Sequence, residues 1–254
     1  MRIGIAGIAG RMGQLLVEEV AAAGATLAGG TTGTSRPAPP GTTIFADAAA
    51  MFAGCDVVID FTHADAATGH ARLAAGTGTA LILGSSGLST AAEAAVAQAG
   101  ERTAIVYAAN FAPGVNLLFA LAERMAQALP GAQYDAEIIE MHHRQKVDAP
   151  SGTAVALGRA VARGRGTTME EAGIESGRDG HVGARKPGAI GFSAIRGGQV
   201  VGEHTLLFAA GAEHIAITHR SFDRRVYATG AVRAALWTAG KAPGLFSMGD
   251  VLQG

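Results

Sequence analysis

Two histidines, two cationic side chains and a helix start share one short stretch of the chain: Glu137-Ile138-Ile139-Glu140-Met141-His142-His143-Arg144-Gln145-Lys146-Val147-Asp148-Ala149-Pro150-Ser151-Gly152-Thr153-Ala154. An unperturbed imidazole titrates at about pH 6.5, so His142 can supply a proton near neutrality. The Lys146 ammonium can donate a proton or stabilise developing negative charge. Free N–H groups at a helix start and the positive end of the helix dipole attract anions, and Arg144, Lys146 and the His pair add positive charge nearby. Together these features predict a site for a small carboxylate-bearing ligand, its anions lying on the backbone of Ser151, Gly152 and Thr153 and near Lys146.

The flanking residues say what positions that loop. Ile138-Ile139 is β-branched and reads as a strand, and Pro150-Ser151-Gly152-Thr153 before the apolar Ala154 to Leu157 reads as a loop entering a helix. A metal site built from His142 and His143, with Glu140, is the rival reading. Neighbouring residues on an extended segment point to opposite sides, and neither a Cys cluster nor H-E-x-x-H spacing accompanies them, so no metal is assigned. A purely structural histidine pair is the other alternative, and the cationic, anion-binding surroundings weigh against it.

Upstream, the chain alternates strands and helices. Ile3 to Ala6 is an apolar run ending in glycines, and Leu15-Leu16-Val17 and Val20 follow with helical spacing. Further strands are predicted at Thr26 to Ala28, Asp56 to Asp60, Ala80 to Leu83 and Thr103 to Ala108, with Ala-rich helices at Ala64 to Ala75 and Thr90 to Ala99. This is the pattern of parallel βαβ units, a Rossmann-like sheet. Gly7, Gly10 and Gly13 sit between the first strand and its helix, where backbone can approach a pyrophosphate, although the spacing G-x-x-G-x-x-G is not the standard one. NAD-preferring Rossmann domains usually carry a carboxylate about 20 residues further on. Here that region reads Gly29-Gly30-Thr31-Thr32-Gly33, with no carboxylate before Asp47. Nothing there would repel a 2′-phosphate, and Arg11 and Arg36 are available as its partners, Arg36 reading equally as a solvated residue of a loop with Pro37, Pro39 and Pro40, so NADPH is acceptable beside NADH or preferred to it.

After Asn110 the pattern changes. A longer helix is predicted over Val115 to Leu129, a strand over Asp135 to Met141, and a helix from the loop through Arg163. Gly164 to Gly188 reads as a long surface loop. Short apolar runs between Ile190 and Thr218, broken by Gly197-Gly198 and Gly211-Ala212, read as an antiparallel meander, and Val226 to Trp237 as a helix. The fold class is therefore α/β: a Rossmann-like parallel-sheet domain plus an α+β domain with an open mixed sheet. His204 and His219 fall in β-like segments and read as core or interface histidines; the role of Arg224 is left open.

Several segments, in order, resemble the dihydrodipicolinate reductases (4-hydroxy-tetrahydrodipicolinate reductases): the loop above, Gly7-Ile8-Ala9-Gly10-Arg11-Met12-Gly13, Ile59-Asp60-Phe61-Thr62, Gly84-Ser85-Ser86-Gly87, Ala109-Asn110-Phe111, Val201-Gly202-Glu203-His204-Thr205 and Gly244-Leu245-Phe246. The resemblance implies reduction of a cyclic dicarboxylate imine on the lysine and diaminopimelate pathway by NADPH or NADH. Hydride addition leaves an enamine that must gain a proton, and the resemblance assigns its donation to His142 and Lys146 without dividing the steps between them. It assigns substrate binding to His143, Gly152 and Thr153. It places the cofactor against Gly7 to Gly13, Thr32, Gly84, Ser85, Ser86, and Ala108, Ala109, Asn110 and Phe111. Some family members have an acidic residue where Thr32 falls, and threonines are common where Ser85 and Ser86 stand. The resemblance also implies that the last helix returns to the first domain, giving 1–113 with 223–254 for the dinucleotide and 114–222 for substrate and subunit contacts. Four subunits are implied as well; the physical argument says only that the sheet of short strands needs a cover.

Bulk properties narrow the alternatives. With 254 residues, 48% of them hydrophobic, the chain can bury a sizeable core. Charged residues, His or clustered Gly interrupt every apolar run before it reaches membrane-spanning length, and the apolar N-terminus is cut by Arg11 and Glu18-Glu19, so a cytoplasmic location is predicted. A formal charge of −1 lacks the basic footprint of a nucleic-acid binder. The single cysteine, Cys55, reads as a small buried hydrophobe. Two other functions fit parts of the pattern: an aspartate-type dehydrogenase, which would not need a loop for a cyclic dicarboxylate, and a non-catalytic NADP sensor, which has no chemical reason to keep His142, His143 and Lys146.

Overall fold

The computed structural model describes residues 1–33, 37–85 and 87–253. The chain forms two compact units, Met1–Pro113 with Arg224–Gly254, and Gly114–Asp223. In the first unit the order is β1 (Arg2–Ala6), α1 (Arg11–Ala22), β2 (Thr26–Gly30), α2 (Ala48–Gly54), β3 (Val57–Asp60), α3 (Ala64–Thr77), β4 (Ala80–Leu83), α4 (Thr90–Gly100) and β5 (Ala104–Tyr107). The second holds α5 (Pro113–Ala128, from the last residue of the first unit), β6 (Asp135–His142), α6 (Gly152–Gly164), α7 (Met169–Ala172), β7 (Ile174–Ser176), β8 (Ile190–Arg196), β9 (Gly202–Ala209) and β10 (His214–Ser221). The chain then completes the first unit with α8 (Arg225–Trp237), β11 (Gly244–Phe246) and α9 (Met248–Gln253).

The first sheet is parallel, in the order β11-β5-β4-β3-β1-β2. Val57, Ile59, Ile82 and Val106 face one core with Leu16 and Val20 of α1 and Ala231 and Ala235 of α8. The alternating residues Val58, Leu81, Leu83 and Ile105 face a second core with Phe52, Ala71 and Val96. Burial on both faces is why these strands read as unbroken apolar runs rather than as alternation. Since β2 lies on one side of β1 and β3 on the other, the strand order reverses beside β1. In open α/β sheets, the loops at the carboxyl ends around such a reversal receive the ligand.

The second sheet is mixed, in the order β10-β9-β6-β8-β7. It corrects the meander expected between Ile190 and Thr218. Only β9 and β10 form an antiparallel pair there, while β6 lies between β8 and β9, parallel to the former and antiparallel to the latter. The β8–β9 connection straddles the end of β6: Gly197 N–H donates to the His142 carbonyl and Arg144 N–H to that of Gly198. The predicted loop over Gly164 to Gly188 is also corrected. It holds α7, fixed by a capping box between Thr168 and Glu171, and the edge strand β7, parallel to β8. Both pieces are too short and polar to show periodicity.

One face of this sheet is covered. Ala136, Ile138, Ile190, Phe192, Leu206 and Phe208 pack beneath Leu118 and Ala122 of α5 and Leu157 and Val161 of α6. On the opposite face Ile139 and Ile195 stay 37% and 48% exposed. Among the described residues no helix is long and apolar enough to cross a membrane.

Candidate active site

Strand period carries the covered face of the second sheet from apolar to ionisable. Along β6 the inward residues run Ala136, Ile138, Glu140, His142. Register places Arg196 of β8 beside His142, and His204 of β9 beside Glu140. A carboxylate 1% exposed therefore lies where the sheet core ends, and a buried charge must be paired. Arg196 grips it with two bonds, Nη1 to Oε2 at 2.9 Å and Nη2 to Oε1 at 2.8 Å. Ser151 N–H donates to Oε1 at 3.1 Å, and the His142 Nδ1–H bond to Oε2 measures 2.5 Å.

Burial alone would raise the pKa of Glu140, but the bonds from Arg196, His142 and Ser151 outweigh it and hold the carboxyl below its ordinary value. Burial pushes His142 down, against the pull of Glu140, and the nearby charges of Lys146 and Arg196 push the same way. His204 falls to about 4, through burial first and then the charge of His142, so it is neutral at physiological pH.

Local chemistry places the rest of the loop. Ser151 is the N-cap of α6, its Oγ accepting the Ala154 N–H at 3.2 Å, and the same hydroxyl meets His204 Nε2 at 3.2 Å. Gly152 and Thr153 begin the helix. His143 follows β6, its carbonyl accepting the Lys146 N–H, and its Nδ1 is buried without a hydrogen-bond partner among the described residues. The Lys146 ammonium pairs with Asp148 at 2.8 Å. Arg196 Nη2 also donates to the Asp148 carbonyl at 2.6 Å, tying the loop to β8. Thus His142, Lys146, Ser151, Glu140, Arg196 and His204 form one connected network.

The dinucleotide candidates gather at the carboxyl ends of the first sheet. Gly7, at φ +70°, begins the turn after β1, and Gly10 N–H closes it onto the Gly7 carbonyl at 2.8 Å. A Cβ on Gly13 would lie 2.4 Å from the Gly7 oxygen, so only glycine lets α1 start against this turn. Ile8 and Ala9 are buried, Met12 packs on the core, and Arg11 opens α1, exposed. Thr32 follows β2, Gly84 and Ser85 follow β4, and Ala108 to Phe111 follow β5. Ser85 Oγ is buried without a partner among the described residues, Asn110 Oδ1 accepts the Ala112 N–H, and Phe111 packs on Phe61. A tight glycine turn and an orphaned hydroxyl at the carboxyl ends of the strands suit a nucleotide's phosphates and polar edges. Ser86 and Arg36 lie outside the described residues.

Residues 1–111 match the family described as dihydrodipicolinate reductase, N-terminus, and residues 114–252 the one described as dihydrodipicolinate reductase, C-terminus. The chain belongs to the dihydrodipicolinate reductase family. A 4-hydroxy-tetrahydrodipicolinate reductase of Granulibacter bethesdensis is 65% identical over 254 residues, 99% of this chain and 97% of that one. One of Gluconacetobacter diazotrophicus is 58% identical over 252 residues, with the same coverage of 99% and 97%. Among solved structures, a dipicolinate-bound dihydrodipicolinate reductase from Paenisporosarcina sp. TG-14 shares the fold, with a TM-score of 0.79 at 23% identity and 97% of each chain covered.

In this dihydrodipicolinate reductase chain, the reading of sequence alone passed over Arg196, and it considered Glu140 only as a metal ligand. The signal for Glu140 was present in the alternation Ala136, Ile138, Glu140, His142. His204, read as a core or interface histidine, is buried and reaches the loop through Ser151. His219 sits opposite His204 in register, while Cys55 is buried.

Proposed function

We propose that the chain reduces 4-hydroxy-tetrahydrodipicolinate to tetrahydrodipicolinate and water, or its dehydrated form to tetrahydrodipicolinate alone, with NADPH or NADH, as a cytoplasmic step of lysine and diaminopimelate biosynthesis. The observation that carries this reading is the juxtaposition of His142 and Lys146 with the Ser151-capped start of α6. The nicotinamide supplies a hydride when bound to the unit made of Met1–Pro113 and Arg224–Gly254. In the unit Gly114–Asp223, Gly152 and Thr153 offer a carboxylate the helix-start N–H groups, whereas the Ser151 N–H expected to join them is taken by Glu140, and His143 and Lys146 add donors. His142 and Lys146 then return a proton to the electron-rich product of hydride addition. The experiment is direct: with the cyclic intermediate generated by its lyase, NADPH absorbance should fall only when the chain is present, and no turnover would end the reading.

Thr32 supports NADPH as a substrate, since no carboxylate stands at the end of β2. Thr32→Asp should lower KM for NADH and raise it for NADPH, because the new charge binds ribose hydroxyls and repels a 2′-phosphate. Unchanged discrimination in steady-state kinetics would remove Thr32 from the ribose site.

Pyridine-2,6-dicarboxylate, a planar analogue with both carboxylates, should compete with substrate, raising KM without lowering kcat. Calorimetry that finds no binding would favour an aspartate-type dehydrogenase. The uncovered sheet face bearing Ile139 and Ile195 supports assembly through this unit into a homotetramer. Light scattering should then give four times 25.5 kDa, and a monomer would show that the face needs no cover.

A further inference from the structure

The proton-transfer loop alone does not explain why a fully buried carboxylate lies beneath it. Glu140 is 1% exposed, and four hydrogen bonds converge on it. Three of these, two from Arg196 and one from the Ser151 N–H, fix its two oxygens from β8 and from the start of α6. The fourth is the bond from His142, whose ring lies edge-on to His204 at 5.1 Å. Because Oε2 takes the proton-bearing Nδ1 of His142, Nε2 is left as the nitrogen that can face a ligand. Gly202 leaves room beside that nitrogen: a Cβ there would sit 3.1 Å from Nε2.

We infer that Glu140, clamped by Arg196 and the Ser151 N–H, is a positioning residue for the reaction: it holds the His142 ring in the Nδ1–H tautomer and aims Nε2 at the reacting atoms. A carboxylate that orients an imidazole in this way sets both its tautomer and its basicity. The other charged or titratable groups around His142 are Lys146 and Asp148 of the loop, Arg196 of β8, His204 of β9 and, beyond it, His219 of β10. Glu140 is the carboxylate that bonds to His142. The inference rests on the proposed proton-transfer role of His142, and its test has a part that does not.

Glu140→Gln keeps the shape and removes the charge. It should lower kcat on the order of tenfold, a loss bounded by that of His142→Ala, while leaving the KM for NADPH unchanged. In a His142→Ala background the same substitution should change kcat by no more than about twofold, since a residue acting through His142 has nothing left to act on. Equal losses in both backgrounds would assign Glu140 to the fold alone and overturn the inference. Independently of turnover, nitrogen-15 spectra of histidine-labelled protein should show His142 protonated on Nδ1 in the wild type, and a mixture of tautomers together with a lower pKa in Glu140→Gln. If that variant does not fold, Glu140→Asp keeps the charge but withdraws it by one methylene, and should show the same loss of tautomer purity. An unchanged His142 spectrum would refute the inference. A wild type with the fixed tautomer but no reductase activity would instead sink the proposed function and leave the positioning intact.

Discussion

Lys146→Ala and His142→Ala should each lower kcat by about 10² to 10⁴, the usual contribution of a positioned proton donor, with little change in cofactor affinity. His142 ends β6 and Lys146 lies in the loop from there to α6, whereas the cofactor candidates belong to the other unit, so the loss should fall on kcat rather than on the KM for NADPH. The structure also gives a way to divide the work between them. Burial holds the His142 pKa below its ordinary value. If protonated His142 is the donor, kcat falls as pH rises through a pKa below that of a free imidazole. A profile flat through that range assigns the proton to Lys146, with neutral His142 accepting a hydrogen bond through Nε2. Near-wild-type turnover in both variants would take the loop out of the chemistry.

The parts of the fold and of the candidate site that were legible differ in their sequence separation. The parallel sheet could be read because each of its inner strands is a short apolar run next to its own helix, as with Val57 to Asp60 before Ala64 to Thr77. In the second unit the strands themselves were legible, but their neighbours were not. Local alternation says which residues face inward; it does not say which strand lies beside which. Thus β8 and β9, adjacent in the chain, are parted by β6. The site divides in the same way. His142, Lys146 and Ser151 occupy one short run of sequence. Arg196 reaches Glu140 from 56 residues away and His204 reaches Ser151 from 53, through register that only the folded sheet supplies.

The long-range pair of Arg196 and Glu140 also has an energetic consequence. Arg196→Met should destabilise the protein by about 2–3 kcal/mol at neutral pH; for a fully buried pair the cost is about 3–5 kcal/mol, and here the Arg196 side chain keeps 20% of its exposure and some access to water. The cost comes from Glu140, which stays buried and ionised with its strongest partner gone. Its dependence on pH follows from the carboxyl's lowered pKa. In the wild type, the stability that Glu140 contributes is complete above the unfolded carboxyl pKa, and is lost as pH falls through the folded value. In Arg196→Met that carboxyl titrates at higher pH and escapes its penalty by taking up a proton, so the gap between the two proteins should narrow from pH 7.5 to pH 5. Replacing Glu140 by Gln in the same chain should recover part of the loss at pH 7.5, because no buried charge then remains unpaired. Denaturant unfolding at fixed protein concentration measures each of these stabilities. A gap equal at both pH values, unrelieved by the second substitution, would place the cost in lost packing of the arginine stem rather than in the charge it neutralises.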